Sequence, residues 1–169
     1  MACALTSLSL FVPSELFAMI SYSSPDLTQH PPRSPRVRLG GYAILPRCLD
    51  KCRAALAGKI GEYHYACPLD QRFLTFAGID PDALKDQVSK GLSDWAILIW
   101  IQSNAKNKHA PWEISAWSSY QDTQTIASSQ MRSRFNALVA DAKADNRDDI
   151  VGWFDLLDAD DYATFGGKP

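Results

Sequence analysis

The sequence predicts an all-α fold: a compact single-domain bundle of about six or seven short helices with an extended Pro/Arg-rich N-terminal arm. Three observations point there. Apolar residues recur at three- and four-residue spacing along most of the chain after Gly41. The starts of these stretches carry Pro, Ser or Asp, and several ends carry Gly. No internal repeat and no regular strand–helix alternation is present. With 169 residues, 46% hydrophobic and 21% charged, the chain can bury a core without a disulfide or metal staple, and its composition excludes wholesale disorder. A formal net charge of −2 gives no bulk attraction to nucleic acid or to an acidic membrane surface.

Residues 1–24 are apolar and Ser-rich and contain no Lys or Arg. A secretory signal wants a basic segment before its apolar run, and Pro13 and Glu15 interrupt this one; the same breaks prevent it from spanning a bilayer. The stretch reads as a poorly ordered extension, with Met19 as an alternative start and a degenerate export signal as the lesser reading. Residues 25–169 then form the single helical domain. Four cysteines, Cys3, Cys48, Cys52 and Cys67, in a chain this rich in core residues suggest a reducing, cytoplasmic setting rather than a disulfide scaffold.

Prolines at 25, 31, 32 and 35 force residues 23–41 into an extended arm laid over the domain. Pro46 opens a helix over 46–57, whose stripe is Leu45, Cys48, Leu49, Cys52, Ala55 and Leu56, with Arg47, Asp50, Lys51 and Arg53 off it. Glu62 to Tyr65 alternates like a strand fragment, but nothing nearby offers a partner. A short helix follows over 69–77, ending at Gly78. Asp80-Pro81 caps and starts the next, through Lys90 to Gly91. Ser93 caps another, and its seven-residue apolar run, Trp95 to Ile101, predicts a buried central helix over the alternative of a buried strand. Pro111 opens a helix carrying Ile114, Trp117 and Tyr120. Met131, Phe135, Leu138, Val139 and Ala142 form the cleanest amphipathic stripe in the chain. Asp148 or Asp149 starts the last helix, with Ile150, Trp153, Phe154 and Leu157 facing inward.

Charge is unevenly spread. Residues 33–72 carry eight Arg and Lys against three acids, whereas residues 141–161 carry eight Asp against two bases. Either the two segments attract each other within the fold, or the basic one lines a cleft for an anionic ligand. In Arg33-Ser34-Pro35-Arg36, guanidiniums could grip carboxylate or phosphate while Gly40-Gly41 lets backbone amides approach, but the spacing is not that of a phosphate loop. The competing reading pins the arm to the domain by arginine salt bridges to Asp50 or Asp70.

Glu62 to Arg72 gathers a carboxylate, an imidazole, a thiol and a guanidinium at a loop–helix junction. Cys67 there would feel the positive end of a helix dipole and His64 could act as its base. The structural alternative makes Asp70, alone or with Arg72, a helix-start cap and ion pair, and Cys67 a small core residue. Cys48, Cys52 and Cys67 or His64 could be arranged around zinc, but the first two lie in an apolar helical stripe, so core packing is preferred and no metal or other cofactor is expected. The aspartates of 155–161 lack the glycine and third oxygen ligand of a calcium loop.

Asp26-Leu27-Thr28, the Pro-Pro-Arg-Ser-Pro-Arg run at 31–36, Leu39-Gly40-Gly41-Tyr42, Leu45-Pro46-Arg47, Asp50-Lys51 and the Cys67 to Phe73 string, followed by Gly78-Ile79, resemble a bacterial family known as domain of unknown function 5069. The likeness continues through Pro111-Trp112-Glu113, Trp117, Trp153 to Asp158 and Phe165-Gly166-Gly167, so it covers nearly everything from residue 26 on. It implies a compact, mostly helical cytoplasmic protein. With no activity attached to the family, it supplies no catalytic residues.

The leading functional expectation is a pocket where the arm meets the Cys67–Arg72 loop. It would take a small anionic ligand or an acidic protein segment through Arg33, Arg36, Arg47, Tyr42, Tyr63, Asp70 and Arg72, with no nucleic-acid or membrane partner. An alternative is an enzyme using His64, Cys67 or Asp70 as acid, base or nucleophile, and a third is an adaptor that presents its Trp-rich helices to another protein.

Overall fold

A computed structural model describes residues 24–168; apart from Ser24, the segment read as an N-terminal extension lies outside them. Seven helices follow one another in the described residues: α1 (Leu45–Leu56), α2 (Pro68–Ala77), α3 (Pro81–Val88), α4 (Asp94–Asn104), α5 (Pro111–Thr123), α6 (Ser129–Asp141) and α7 (Trp153–Thr164). Among the described residues no sheet forms, and extended pairing is limited to the isolated bridges Leu39–Tyr42 and Thr125–Gly152. Glu62 to Tyr65 runs through turns rather than a strand. No helix among the described residues is long and apolar enough to cross a membrane.

Local chemistry starts these helices as the sequence predicts. A proline occupies the first turn of α1, α2, α3 and α5, where its missing N–H costs nothing. Asp80 accepts from the Ala83 amide at 3.0 Å and Ser93 from the Ala96 amide at 3.1 Å. The last helix begins later than Asp148 or Asp149, because Asp155 reaches back to the amides of Val151 and Gly152 (3.1 and 2.7 Å) and fixes the turn just before Trp153.

The centre of the bundle is α1, not α4. Only one side of α4 is covered, by way of Ile97, Leu98 and Ile101; Trp95 and Ile99 stand 61% and 45% exposed. In α1, ten of twelve residues are buried, including the charged Arg47, Asp50, Lys51 and Arg53 that spacing places on a polar face. That face is covered because each charge meets its opposite on a different element. Arg47 pairs with Asp161 of α7 (2.6 Å), Asp50 with Arg33 of the arm (2.7 Å), Lys51 with Asp70 of α2 (2.8 Å) and Arg53 with Asp94 of α4 (2.6 Å). A buried charge without such a partner would cost several kcal/mol.

The arm is pinned by the same means. Arg33 forks onto Asp50 and reaches Asp94 at 2.7 Å. Arg36 holds Asp122 (2.8 Å), Asp158 (2.6 Å) and Asp155 together, and the Ser34 hydroxyl donates to Asp158. The basic segment and the acidic one therefore meet inside the fold. Gly40-Gly41 serves this packing as well: both have positive φ, and a Cβ on Gly40 would sit 2.6 Å from the Leu98 side chain.

Two apolar clusters result. The larger joins Tyr42–Leu45, Cys48, Leu49 and Cys52 to α2, α3, α4 and Phe154, and the smaller sets Phe135 and Val139 of α6, with Ala142 just after it, against Leu156 and Ala159 of α7. Thus α7 has Phe154 in one core and Leu156 in the other. At Gly61, φ is +60° and an added Cβ would lie 2.9 Å from the Leu27 carbonyl oxygen. Gly61→Ala is expected to cost about 1–3 kcal/mol, read as a lowered urea midpoint, since backbone strain and a backbone clash coincide where the arm docks. An unchanged midpoint would contradict that account.

Candidate functional site

A hollow of about 660 Å³ opens between the start of the arm, the 61–64 turn, the first turn of α2 and the end of α7. Its volume lies within the range of small-molecule sites, about 300–1,000 Å³. Arg47 and Lys51 reach it from α1, Tyr63 and His64 from the turn, Cys67 from the start of α2, and Asp160 from α7.

Lys51 is buried at the lining of this hollow, and its ammonium contacts two groups. Its Nζ lies 2.8 Å from Asp70 Oδ1 and donates to Cys67 Sγ at 3.2 Å. Asp70 is completely buried, and neither of its carboxylate oxygens meets hydrogen-bond geometry with a described group. Its contact with Lys51 is thus an ion pair at an off-line angle. Burial pushes the Asp70 carboxyl above its ordinary range, with Lys51 pulling the other way. Cys67 is the N-cap residue of α2, so its sulfur also faces the positive end of that helix.

One turn earlier on α1 stands a second charged cluster. Arg47 forks onto Asp161 (2.6 and 3.0 Å), stands 5.5 Å over the Tyr63 ring, and Tyr63 donates its hydroxyl proton to Asp161 at 2.8 Å. Burial works against the Arg47 charge, but Asp161 outweighs it and holds the guanidinium above its ordinary value. Burial, reinforced by the hydrogen bond to Asp161, raises the Tyr63 phenol. Asp160 at the rim is raised by partial burial and by the neighbouring Asp161.

Of the residues read from sequence as site candidates, Arg47, Tyr63, His64 and Cys67 line this hollow, and Asp70 stands behind Lys51. Arg33 and Arg36 border other, smaller hollows beside their own acids. Tyr42 is in the core, edge-on to Phe73 at 5.4 Å. Arg72 faces away, donating to Gln121 and Gln124, so the ion partner of Asp70 is Lys51 and not Arg72. Phe76 stacks with Trp117 at 4.5 Å and with His109 at 3.9 Å, whereas Trp112 is 71% exposed.

Sequence reasoning missed Lys51 and Asp161. One signal was available: Arg47 and Lys51 are like charges four residues apart on one helix face, an arrangement that disfavours an isolated helix and therefore implies covering acids. Cys48 and Cys52 are shut in the core, where burial raises the first thiol well above its usual range and the second to about 11. Among the described residues no group of three or more His, Cys, Asp or Glu is placed to hold a metal ion.

Residues 29–163 match the model of a domain of unknown function, DUF5069. No curated protein matches the chain.

Proposed function

Starting from the fact that the chain belongs to the DUF5069 family, whose description carries no activity, we propose that it performs thiol chemistry on a small molecule held in the Cys67 hollow. The observation that carries this reading is the Lys51 ammonium 3.2 Å from Cys67 Sγ, fixed in place by a buried carboxylate. A cation beside sulfur at a helix start favours nucleophilic attack. In the step envisaged, Cys67 Sγ bonds to an electrophilic carbon, the leaving group departs with its electron pair, and the thiol proton passes to His64 at the rim or to water. Asp70 positions Lys51 and does not touch the substrate.

Charge narrows the substrate. Arg47 and Lys51 are each balanced by a buried acid, and Glu62 and Asp160 add negative charge to the lining. A neutral or zwitterionic molecule suits that balance better than an anion. The earlier expectation of an anion gripped by the arm has less support, since Arg33 and Arg36 are engaged by carboxylates.

Alkylation by iodoacetamide at neutral pH, followed by intact mass in a Cys3→Ser background, tests the reading. Cys67 is expected to react faster than N-acetylcysteine, and the rate to fall about tenfold in Lys51→Met/Asp70→Leu, which removes the ammonium without stranding a charge. Reaction no faster than the free thiol, or a rate indifferent to the double substitution, would reject it.

A further inference from the structure

The apolar stripe that sequence periodicity assigns to α6 is divided in the structure. Phe135, Val139 and Ala142 enter the smaller core, but Met131 and Leu138 remain 51% and 36% exposed. Together with Leu69, Trp153 and Leu157 they line a groove of about 340 Å³ between α2, α6 and α7. Arg72 and Arg134 stand at its edge.

These two arginines differ from those of the arm and α1. Arg33, Arg36, Arg47 and Arg53 each pair with a carboxylate. Arg72 is held instead by the neutral side-chain oxygens of Gln121 (3.1 Å) and Gln124 (2.8 Å). Among the described residues no carboxylate lies within 4.0 Å of Arg72 or Arg134. A positively charged edge without counter-ions beside an uncovered apolar floor is complementary to a ligand with an apolar body and an acidic head.

We propose that this groove binds a small amphipathic carboxylate. Its alkyl or aryl body lies along Leu138, Trp153 and Leu157, removing their apolar surface from water, and its carboxylate meets the Arg72 guanidinium, whose planar fork matches two oxygens. A groove of about 340 Å³ has the volume for one such chain or ring. The inference is independent of the Cys67 reading, although Leu69 and Leu157 also line that hollow and place the two cavities side by side.

Calorimetric titration of the full chain with decanoate, below its micelle concentration, tests the proposal against 1-decanol and decylamine. Saturable binding of decanoate is expected, with decanol about tenfold weaker or worse and decylamine weaker still. Arg72→Gln with Arg134→Gln should weaken decanoate about tenfold, and Leu138→Asp, at a partly exposed position outside both cores, should do at least as much. Thermal midpoints of both variants separate loss of binding from loss of structure. Absence of saturable decanoate binding, equal uptake of all three probes, or an affinity unchanged by the folded Leu138→Asp variant would each overturn it.

Discussion

Replacing Asp161 by alanine is expected to lower the free energy of unfolding by about 3–5 kcal/mol, the usual penalty for breaking a buried ion pair from one side. The Arg47 and Asp161 side chains are 3% and 8% exposed, and the carboxylate takes two hydrogen bonds from the guanidinium and one from the Tyr63 hydroxyl. Its removal leaves a permanently charged buried guanidinium without its directly bonded carboxylate, since arginine cannot shed its proton. Replacing both partners, as Arg47→Met/Asp161→Leu, removes the orphan and is expected to recover most of the loss. Urea denaturation of the two variants against the parent measures the difference. A single-variant loss below about 1 kcal/mol would place this pair among the weak surface bridges and contradict its burial.

Lys51→Met is expected to be equally damaging at neutral pH, by about 3–5 kcal/mol, because it leaves the Asp70 carboxylate wholly buried beside a methyl group. Here pH provides a second handle. The folded-state value of Asp70 is raised by burial above the ordinary 3.8 even with Lys51 present. Its contribution to stability is therefore fully present below that ordinary value and is lost as pH rises through the folded one. Without Lys51 the carboxyl is raised further, so the deficit of Lys51→Met should shrink toward acid pH, where Asp70 is protonated, and grow toward neutrality. The double variant Lys51→Met/Asp70→Leu lacks this group and should stay within about 1 kcal/mol of the parent. Urea midpoints from acid to neutral pH follow the effect, and a deficit independent of pH would show that Asp70 does not carry it.

The helices were legible because their signals are local. Pro46, Asp80-Pro81, Ser93 and Pro111 mark starts through sterics and capping that operate within a few residues. What surrounds each helix was not. The apolar run of α4 resembles a buried centre, yet half its surface faces out, while α1, with four charged residues, is enclosed. Periodicity registers polarity, but it does not register acids lying far along the chain that make a charged face buriable. The same limit explains Met131 and Leu138, which fit the α6 stripe but border a groove. Within the candidate site, Cys67 and His64 stood out through their proximity in sequence to a helix start. Lys51 became visible only once α1 was packed against α2.

The pairing of Arg47 with Asp161 spans 114 positions of the chain. During synthesis, at roughly 5–20 residues per second, α1 leaves the ribosome several seconds before the carboxylate that completes its surroundings. Until then, enclosing that part of the helix carries the cost of a buried guanidinium without its carboxylate. Full burial of the Arg47 guanidinium is therefore favoured only once nearly the last turn of α7 has been made. A polypeptide halted before residue 161 would lack the carboxylate that neutralises the buried Arg47.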